Sequence, residues 1–227
     1  MRWMLTLVML ALPVLAAAQD TPALKTDRDK LSYALGMDLG NQLKAKGVEI
    51  DSEVFARALR AALAGQKTLL TEEEAKTIIA NLQQTMLVQQ AAAAKVTGDK
   101  NKADGTAFLA ANKAKPGVTT LPSGLQYKII KAGTGKKPAA ADTVVCNYKG
   151  TLIDGKEFDS SYKRGQPASF PVDKVIKGWT EVLQLMPVGS TWQVFIPPDL
   201  AYGERGAGTD IGPNATLVFE IELIAIK

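Results

Sequence analysis

The chain has 227 residues, 46% of them hydrophobic and 22% charged, a globular composition long enough for one large domain or two small ones. Its 27 basic and 23 acidic residues leave a net charge of +4, too slight and too dispersed to argue for nucleic-acid binding. It has no histidine and a single cysteine, Cys146, so Ser-His-Asp and Cys-His triads, histidine-ligated zinc or haem, an intramolecular disulfide and any CxxC site are excluded. No glycine-rich phosphate loop is present either, and neither a metal nor a cofactor is expected.

Residues 1–18 carry one early positive charge, an apolar run over 5–15 and three alanines at 16–18, the pattern of a secretory signal peptide cleaved after Ala18. The apolar run is short of the roughly 20 residues that span a bilayer, so a membrane anchor is the weaker alternative. No second long apolar stretch follows, and the expectation is an exported chain without a membrane span, in the periplasm or at the outer cell surface.

From about 26 to 115 the period is helical. Thr26 and Asp29 form a capping-box pattern ahead of Leu31, Leu35, Leu39 and Leu43, with Gly47 as a stop. Tyr33 and Met37 lie on another side of that helix. Asp51 caps a second helix that turns Val54, Phe55, Ala58, Leu59 and Ala62 inward and ends at Gly65. Thr71 and Glu74 open a third, whose early face is Ala75, Ile78, Ile79, Leu82 and Met86. Over 89–115 large apolar residues are scarce apart from Phe108 and Leu109, and Gly98 and Gly105 each cost roughly 1 kcal/mol against alanine. A helix from 71 to about 114 would be roughly 66 Å long. With so little apolar face it reads as a solvated spacer or a disordered linker, the spacer being preferred. Apolar residues on two sides of the first helix favour a dimer held by residues 26–86 over a small monomeric three-helix unit.

From 117 onward the period is 2. Leu125, Tyr127 and Ile129 alternate with Gln126, Lys128 and Ile130, and Val144, Cys146 and Tyr148 with Val145, Asn147 and Lys149. Trp192, Val194 and Ile196 alternate with Thr191, Gln193 and Phe195, and Leu217, Phe219, Ile221 and Leu223 with Val218, Glu220 and Glu222. Asp154-Gly155 is a type I′ hairpin signal. Val175, Trp179, Val182, Leu183 and Met186 fall on one face of a short helix stopped by Pro187. The whole is α+β: helices first, then one antiparallel sheet folded over one helix. Cys146, on the inward parity, is expected to be an inert core residue.

No nucleophile with a base is present in this half. It is rich instead in aromatics beside polar turn residues: Tyr148, Phe158, Phe170, Trp179, Tyr202 and Phe219. These could be an ordinary sheet–helix core or the walls of a pocket. The stretches Tyr148-Lys149-Gly150, Phe158-Asp159-Ser160-Ser161, Val175-Ile176-Lys177-Gly178-Trp179, Ala201-Tyr202-Gly203 and Ala215-Thr216-Leu217-Val218-Phe219 resemble an FKBP-type peptidyl-prolyl cis-trans isomerase in order and approximate spacing. With the helical half and the leader, the whole chain is similar to the Mip and FkpA group of exported bacterial isomerases.

The resemblance implies an all-helical dimerisation domain over 19–90, a connecting helix or linker over 91–116, and an FKBP-like domain over 117–227. It implies isomerisation of X-Pro bonds in folding exported proteins, with chaperone activity. The catalytic residues it implies are Tyr148, Asp159 and Tyr202. The pocket it implies has Trp179 as floor and Phe158, Val175, Ile176, Ile211 and Phe219 around it, with the Ile176 N–H donating to a substrate carbonyl. Phe170 stays open between core and pocket, and Asp159 between pocket group and cap of the turn at Ser160-Ser161. Expected partners are proline-containing unfolded or extended polypeptides, a second copy of the chain, and macrolides such as rapamycin. The alternatives are a non-enzymatic periplasmic chaperone or peptide-binding protein, and a solute-binding sheet domain with an aromatic pocket.

Overall fold

The computed structural model describes residues 24–227, and the leader expected over 1–18 lies outside them. The chain divides after Glu72 into two compact units. In the first, α1 (Asp27–Ala45) begins with the expected capping box: Thr26 Oγ1 accepts from the Asp29 N–H at 3.1 Å, and Asp29 accepts from the Thr26 N–H at 2.9 Å. Asp51 accepts from the N–H groups of Glu53 and Val54 at the start of α2 (Ser52–Leu63). Gly47 and Gly65, just past the two helices, have φ of +65° and +62°, the left-handed conformation that ends a helix. No residue of α1 or α2 is buried, and Leu31, Tyr33, Leu35, Met37 and Leu63 are among the large apolar side chains left exposed.

In the second unit, α3 runs unbroken over Glu72–Lys113, at the length the sequence predicts. From Gly98 onward it is not a solvated spacer, however. Gly98, Gly105 and Asn112, seven residues apart, are its buried positions. A Cβ at Gly98 would stand 3.2 Å from both Asn214 and Pro213, and one at Gly105 would run into Thr216. Glycine here permits close approach of the helix to the sheet domain, which a helix poor in large apolar residues achieves through small ones. Phe108 packs on Phe195 with ring centroids 5.9 Å apart. Gln126 is clamped between the Leu109 carbonyl and the Asn112 amide, each at 2.9 Å. Phe195 and Gln126, assigned by alternation to the outer face of the sheet, are therefore buried by the helix on that face.

The strands are β1 (Val118–Thr120), β2 (Gln126–Lys131), β3 (Thr143–Leu152), β4 (Glu157–Ser160), β5 (Ala168–Pro171), β6 (Thr191–Ile196) and β7 (Leu217–Ile226). They pair antiparallel in the order β1-β2-β6-β7-β3-β4, with β5 on β3. The inward parities of β3, β6 and β7 place Val144, Cys146, Tyr148, Trp192, Val194, Ile196, Leu217, Phe219, Ile221 and Leu223 in one core. Against it lies α4 (Lys177–Leu183), shorter than expected: Val175 precedes the helix in extended backbone, while Trp179, Val182, Leu183 and Met186 are buried. A Cβ at Gly178 would meet Ile196 at 2.6 Å, so the helix start lies close on the sheet.

The β3–β4 connection is not a type I′ turn. The Leu152 N–H donates to the Lys156 carbonyl at 2.9 Å and so encloses three residues, 153–155, of which only Gly155 has positive φ. This is the three-residue, glycine-ended hairpin loop. The register then slips, with Thr151 opposite Glu157 but Gly150 opposite Asp159. Phe158 is the extra residue of a bulge.

Candidate active site

A cavity of about 720 Å³ opens between the start of α4, β3–β4 and the loop before β7, within the size range of ligand sites. Its floor and walls are rings meeting edge to face. Trp179 stands 5.3 Å from both Tyr148 and Phe219, at 89° and 81°, and 5.5 Å from Phe170. Phe158 meets Phe219 at 5.5 Å and 83°. Such packing fixes each ring without polar contacts. Gly150 makes the corner possible, because a Cβ there would be 2.6 Å from Phe158 and 2.7 Å from Phe219.

All nine residues singled out in the sequence line this cavity: Tyr148, Phe158, Asp159, Val175, Ile176, Trp179, Tyr202, Ile211 and Phe219. In a regular strand Phe158 and Asp159 would point to opposite faces. The bulge at Phe158 lets both face the cavity. Val175 and Ile176 do the same from extended backbone at the N-cap of α4. Phe170, left open by the sequence, is in the wall as well.

The polar edge is one connected group. The Tyr148 hydroxyl donates to Asp159 Oδ2 at 2.5 Å and accepts from Arg164 Nη2 at 2.6 Å, and Arg164 Nη1 also donates to Asp159 Oδ1. Burial pushes the Asp159 carboxyl up, but the hydrogen bonds from Tyr148 and Arg164 and the guanidinium charge outweigh it, so the group lies below the ordinary carboxylate range. The Tyr148 hydroxyl is pushed up, first by burial and then by its bond to Asp159. Tyr202 is pushed up by burial and by the Asp159 charge, without a hydrogen bond to that carboxylate among the described residues. Tyr148 therefore holds Asp159 directly, whereas Tyr202 meets it only through its charge. Ser161, beside it, accepts from the Tyr148 N–H at 2.8 Å, which ties the turn to the strand independently of Asp159.

Arg164 was missed by the sequence reading. Its only signal is a basic residue five positions after Asp159, next to Lys163 in a turn-rich segment. Lys174 and residues 207–210 were missed too. The loop that carries residues 207–210 closes on itself through Ala207 and Ile211, whose N–H and carbonyl groups pair at 2.8 and 3.1 Å. Gly206, at φ +64°, leaves no room for a Cβ against the Ile211 carbonyl. The loop is held from outside by Lys156 on Asp210 at 2.8 Å and by the α3 amide of Asn101 on the Pro213 carbonyl at 2.8 Å.

The indole N–H of Trp179 is buried with no acceptor among the described residues, and neither does the Ile176 N–H donate to any of them. Among the described residues no group of three or more histidine, cysteine or carboxylate side chains could hold a metal ion. The arrangement can enclose an apolar ring and offer hydrogen bonds to one amide beside it.

Comparison with known proteins agrees with this geometry. The profile of FKBP-type peptidyl-prolyl cis-trans isomerases matches residues 134–224, and that of the domain amino-terminal to such isomerases matches residues 28–129. The chain is 52% identical over 218 residues to the outer membrane protein MIP of Legionella longbeachae, covering 96% of this chain and 94% of that one. It is 42% identical over 218 residues to the isomerase FkpA of Escherichia coli K12, covering 93% and 80%. The crystal structure of FkpA from Escherichia coli superposes with a TM-score of 0.68 at 40% identity, over 90% of this chain and 99% of that one. The chain belongs to the FKBP-type peptidyl-prolyl cis-trans isomerases, enzymes that speed rotation about the peptide bond preceding proline, and carries both the catalytic domain of that family and the helical domain that precedes it.

Proposed function

We propose that this isomerase acts on X-Pro bonds of unfolded or extended polypeptides outside the cytoplasm, through the ring-walled cavity. The observation that carries the reading is the Tyr148–Asp159–Arg164 group set at the edge of a ring-walled pocket. Rotation about an X-Pro bond faces a barrier of about 18–20 kcal/mol because amide resonance must be broken. The twisted amide has a less polar carbonyl than the planar one. A water-poor pocket therefore disfavours the planar ground state relative to the twisted transition state, which is catalysis by differential binding. In this reading the proline ring lies over Trp179 among Phe158, Val175, Ile211 and Phe219. The Ile176 N–H donates to the carbonyl after proline, and Asp159, Tyr148 and Tyr202 meet the polar atoms of the twisting amide.

Residues 19–90 would serve dimerisation, 91–116 connection and 117–227 catalysis. The unburied apolar side chains of α1 and α2 support a homodimer, since a second copy would cover them. Two pockets on one dimer would also hold clients as a chaperone does. The leader pattern supports a periplasmic or cell-surface location, and among the described residues no helix is long and apolar enough to cross a membrane. A macrolide such as rapamycin would bind in the same ring-walled cavity.

The test is cis-trans isomerisation of a proline tetrapeptide and proline-limited refolding of a protein, each with and without rapamycin. Rapamycin-sensitive acceleration of both is expected. Suppressed aggregation with no acceleration of either would leave only the non-enzymatic chaperone, which the exposed α1 and α2 surfaces would equally serve.

A further inference from the structure

The small net charge conceals a one-sided segment. Between Asp104 and Asp142 the chain has six lysines, at 113, 115, 128, 131, 136 and 137, and no Asp, Glu or Arg. Among the described residues none of the six sits in an ion pair, and Lys115 lies instead over the Phe108 ring at 5.6 Å. This segment supplies one wall of a second cavity, of about 380 Å³, that shares no residue with the first. Ile129, Ala132, Gly133 and Lys137 form that wall. Opposite stand Trp192 and the residues that follow α4, Leu185 and Pro187. Tyr127 and Trp192 stack there with ring centroids 4.4 Å apart.

The sheet edge beside this cavity is open. Pairing of β1 with β2 ends at Lys128, while β2 continues to Lys131 with β6 alone as partner. Ile129 and Ile130, large apolar residues on this open stretch, are 48% and 55% exposed. The carboxylate of α4, Glu181, is engaged by the Ser123 hydroxyl at 2.8 Å.

We propose that this edge is a second polypeptide-binding groove, selective for extended segments in which acidic residues alternate with apolar ones. An extended segment can add main-chain hydrogen bonds to an open strand. Its apolar side chains then enter the Tyr127–Trp192–Ile129 cavity, and its alternate carboxylates meet Lys131, Lys136 and Lys137. A nucleic acid or an anionic membrane would use the lysines but has no use for a strand edge beside a ring-walled cavity. The groove requires no proline, so it would hold client segments that the isomerase pocket does not recognise.

The test uses the full chain without its leader and a fluorescein-labelled, proline-free peptide alternating glutamate with valine and phenylalanine, followed by fluorescence anisotropy. Saturable binding is expected, weakening as salt rises. A lysine-for-glutamate version of the peptide should not bind. Lys136→Glu with Lys137→Glu should weaken binding about tenfold or more, and Ile129→Ser should weaken it at unchanged salt dependence. Both variants should keep tetrapeptide isomerisation within about twofold of the parent, which also shows that they fold. Excess proline tetrapeptide should not displace the probe. The proposal is overturned by no binding at millimolar peptide, by displacement with the proline tetrapeptide, by full affinity in both variants, or by binding to phosphatidylglycerol vesicles without binding to the peptide.

Discussion

Replacing Asp159 by alanine removes the acceptor of the Tyr148 hydroxyl at 2.5 Å and the ionic partner of Arg164. A hydrogen bond to a charged group contributes about 1.5–3 kcal/mol net when shielded from water. The side chains of Asp159 and Arg164 are 41% and 45% exposed, so solvent screening holds that ion pair to under about 1 kcal/mol. Tyr148 is only 5% exposed; its hydroxyl keeps Arg164 as donor but loses its acceptor, for about 1 kcal/mol more. The expected loss of stability is about 1–2 kcal/mol, a fall in Tm of roughly 5 °C for a chain of this size. Catalysis should suffer more, because a charged hydrogen-bonding group at the pocket edge is lost from the transition state: kcat/KM should fall about 10- to 100-fold. The assay is tetrapeptide isomerisation at low temperature, normalised to the native fraction from near-ultraviolet circular dichroism. Tyr148→Phe and the double variant complete a cycle, in which the two losses should be strongly non-additive. Unchanged turnover per folded molecule beside a lowered Tm would refute the reasoning and leave Asp159 as a turn cap.

A fragment starting at residue 117 should fold less stably than one starting at residue 95, by about 2–4 kcal/mol, because it loses Phe108 from Phe195 and Asn112 from Gln126; urea melts compare them, and equal midpoints would mean that the helix merely lies on the domain. Light scattering should give about twice the monomer mass for the leaderless chain at micromolar concentration and the monomer mass for either fragment, and a monomeric full chain would remove the dimer. The Cys146 thiol is fully buried and pushed up to about 12, first by burial and then by the Glu222 charge, so a thiol reagent should label the native protein far more slowly than the denatured one. Isomerase activity should be flat from about pH 5 to pH 9, since no histidine is present, Asp159 titrates low, and Tyr148 and Tyr202 titrate above their ordinary value near 10. The folded-state lowering of Asp159 means its contribution to stability is present above the ordinary carboxylate value of about 3.9 and disappears as pH falls through the lower folded value; acid melts of the parent and of Asp159→Ala should converge there.

Much of this molecule is legible in the letters because much of it is local. Caps at Thr26 and Asp51, glycine stops at 47 and 65, the inward parities of β3, β6 and β7 and the buried face of α4 all depend on residues within one or two turns or strand steps. So do the five motifs, which hold eight of the nine residues named for one cavity; Ile211 comes from the loop between two of them. What the letters could not show depends on contacts far apart in the chain. Gly105 costs a free helix stability, yet it is what allows α3 to lie against Thr216, and that docking buries Phe195 and Gln126 on a face that alternation assigns to water. Arg164 is five residues from Asp159 but sixteen from Tyr148, and it meets the two together where β3 pairs with the bulged β4. Period and propensity are summed over neighbours along the chain, whereas a glycine's space, a strand's second face and an arginine's partner are set by whatever the fold brings against them.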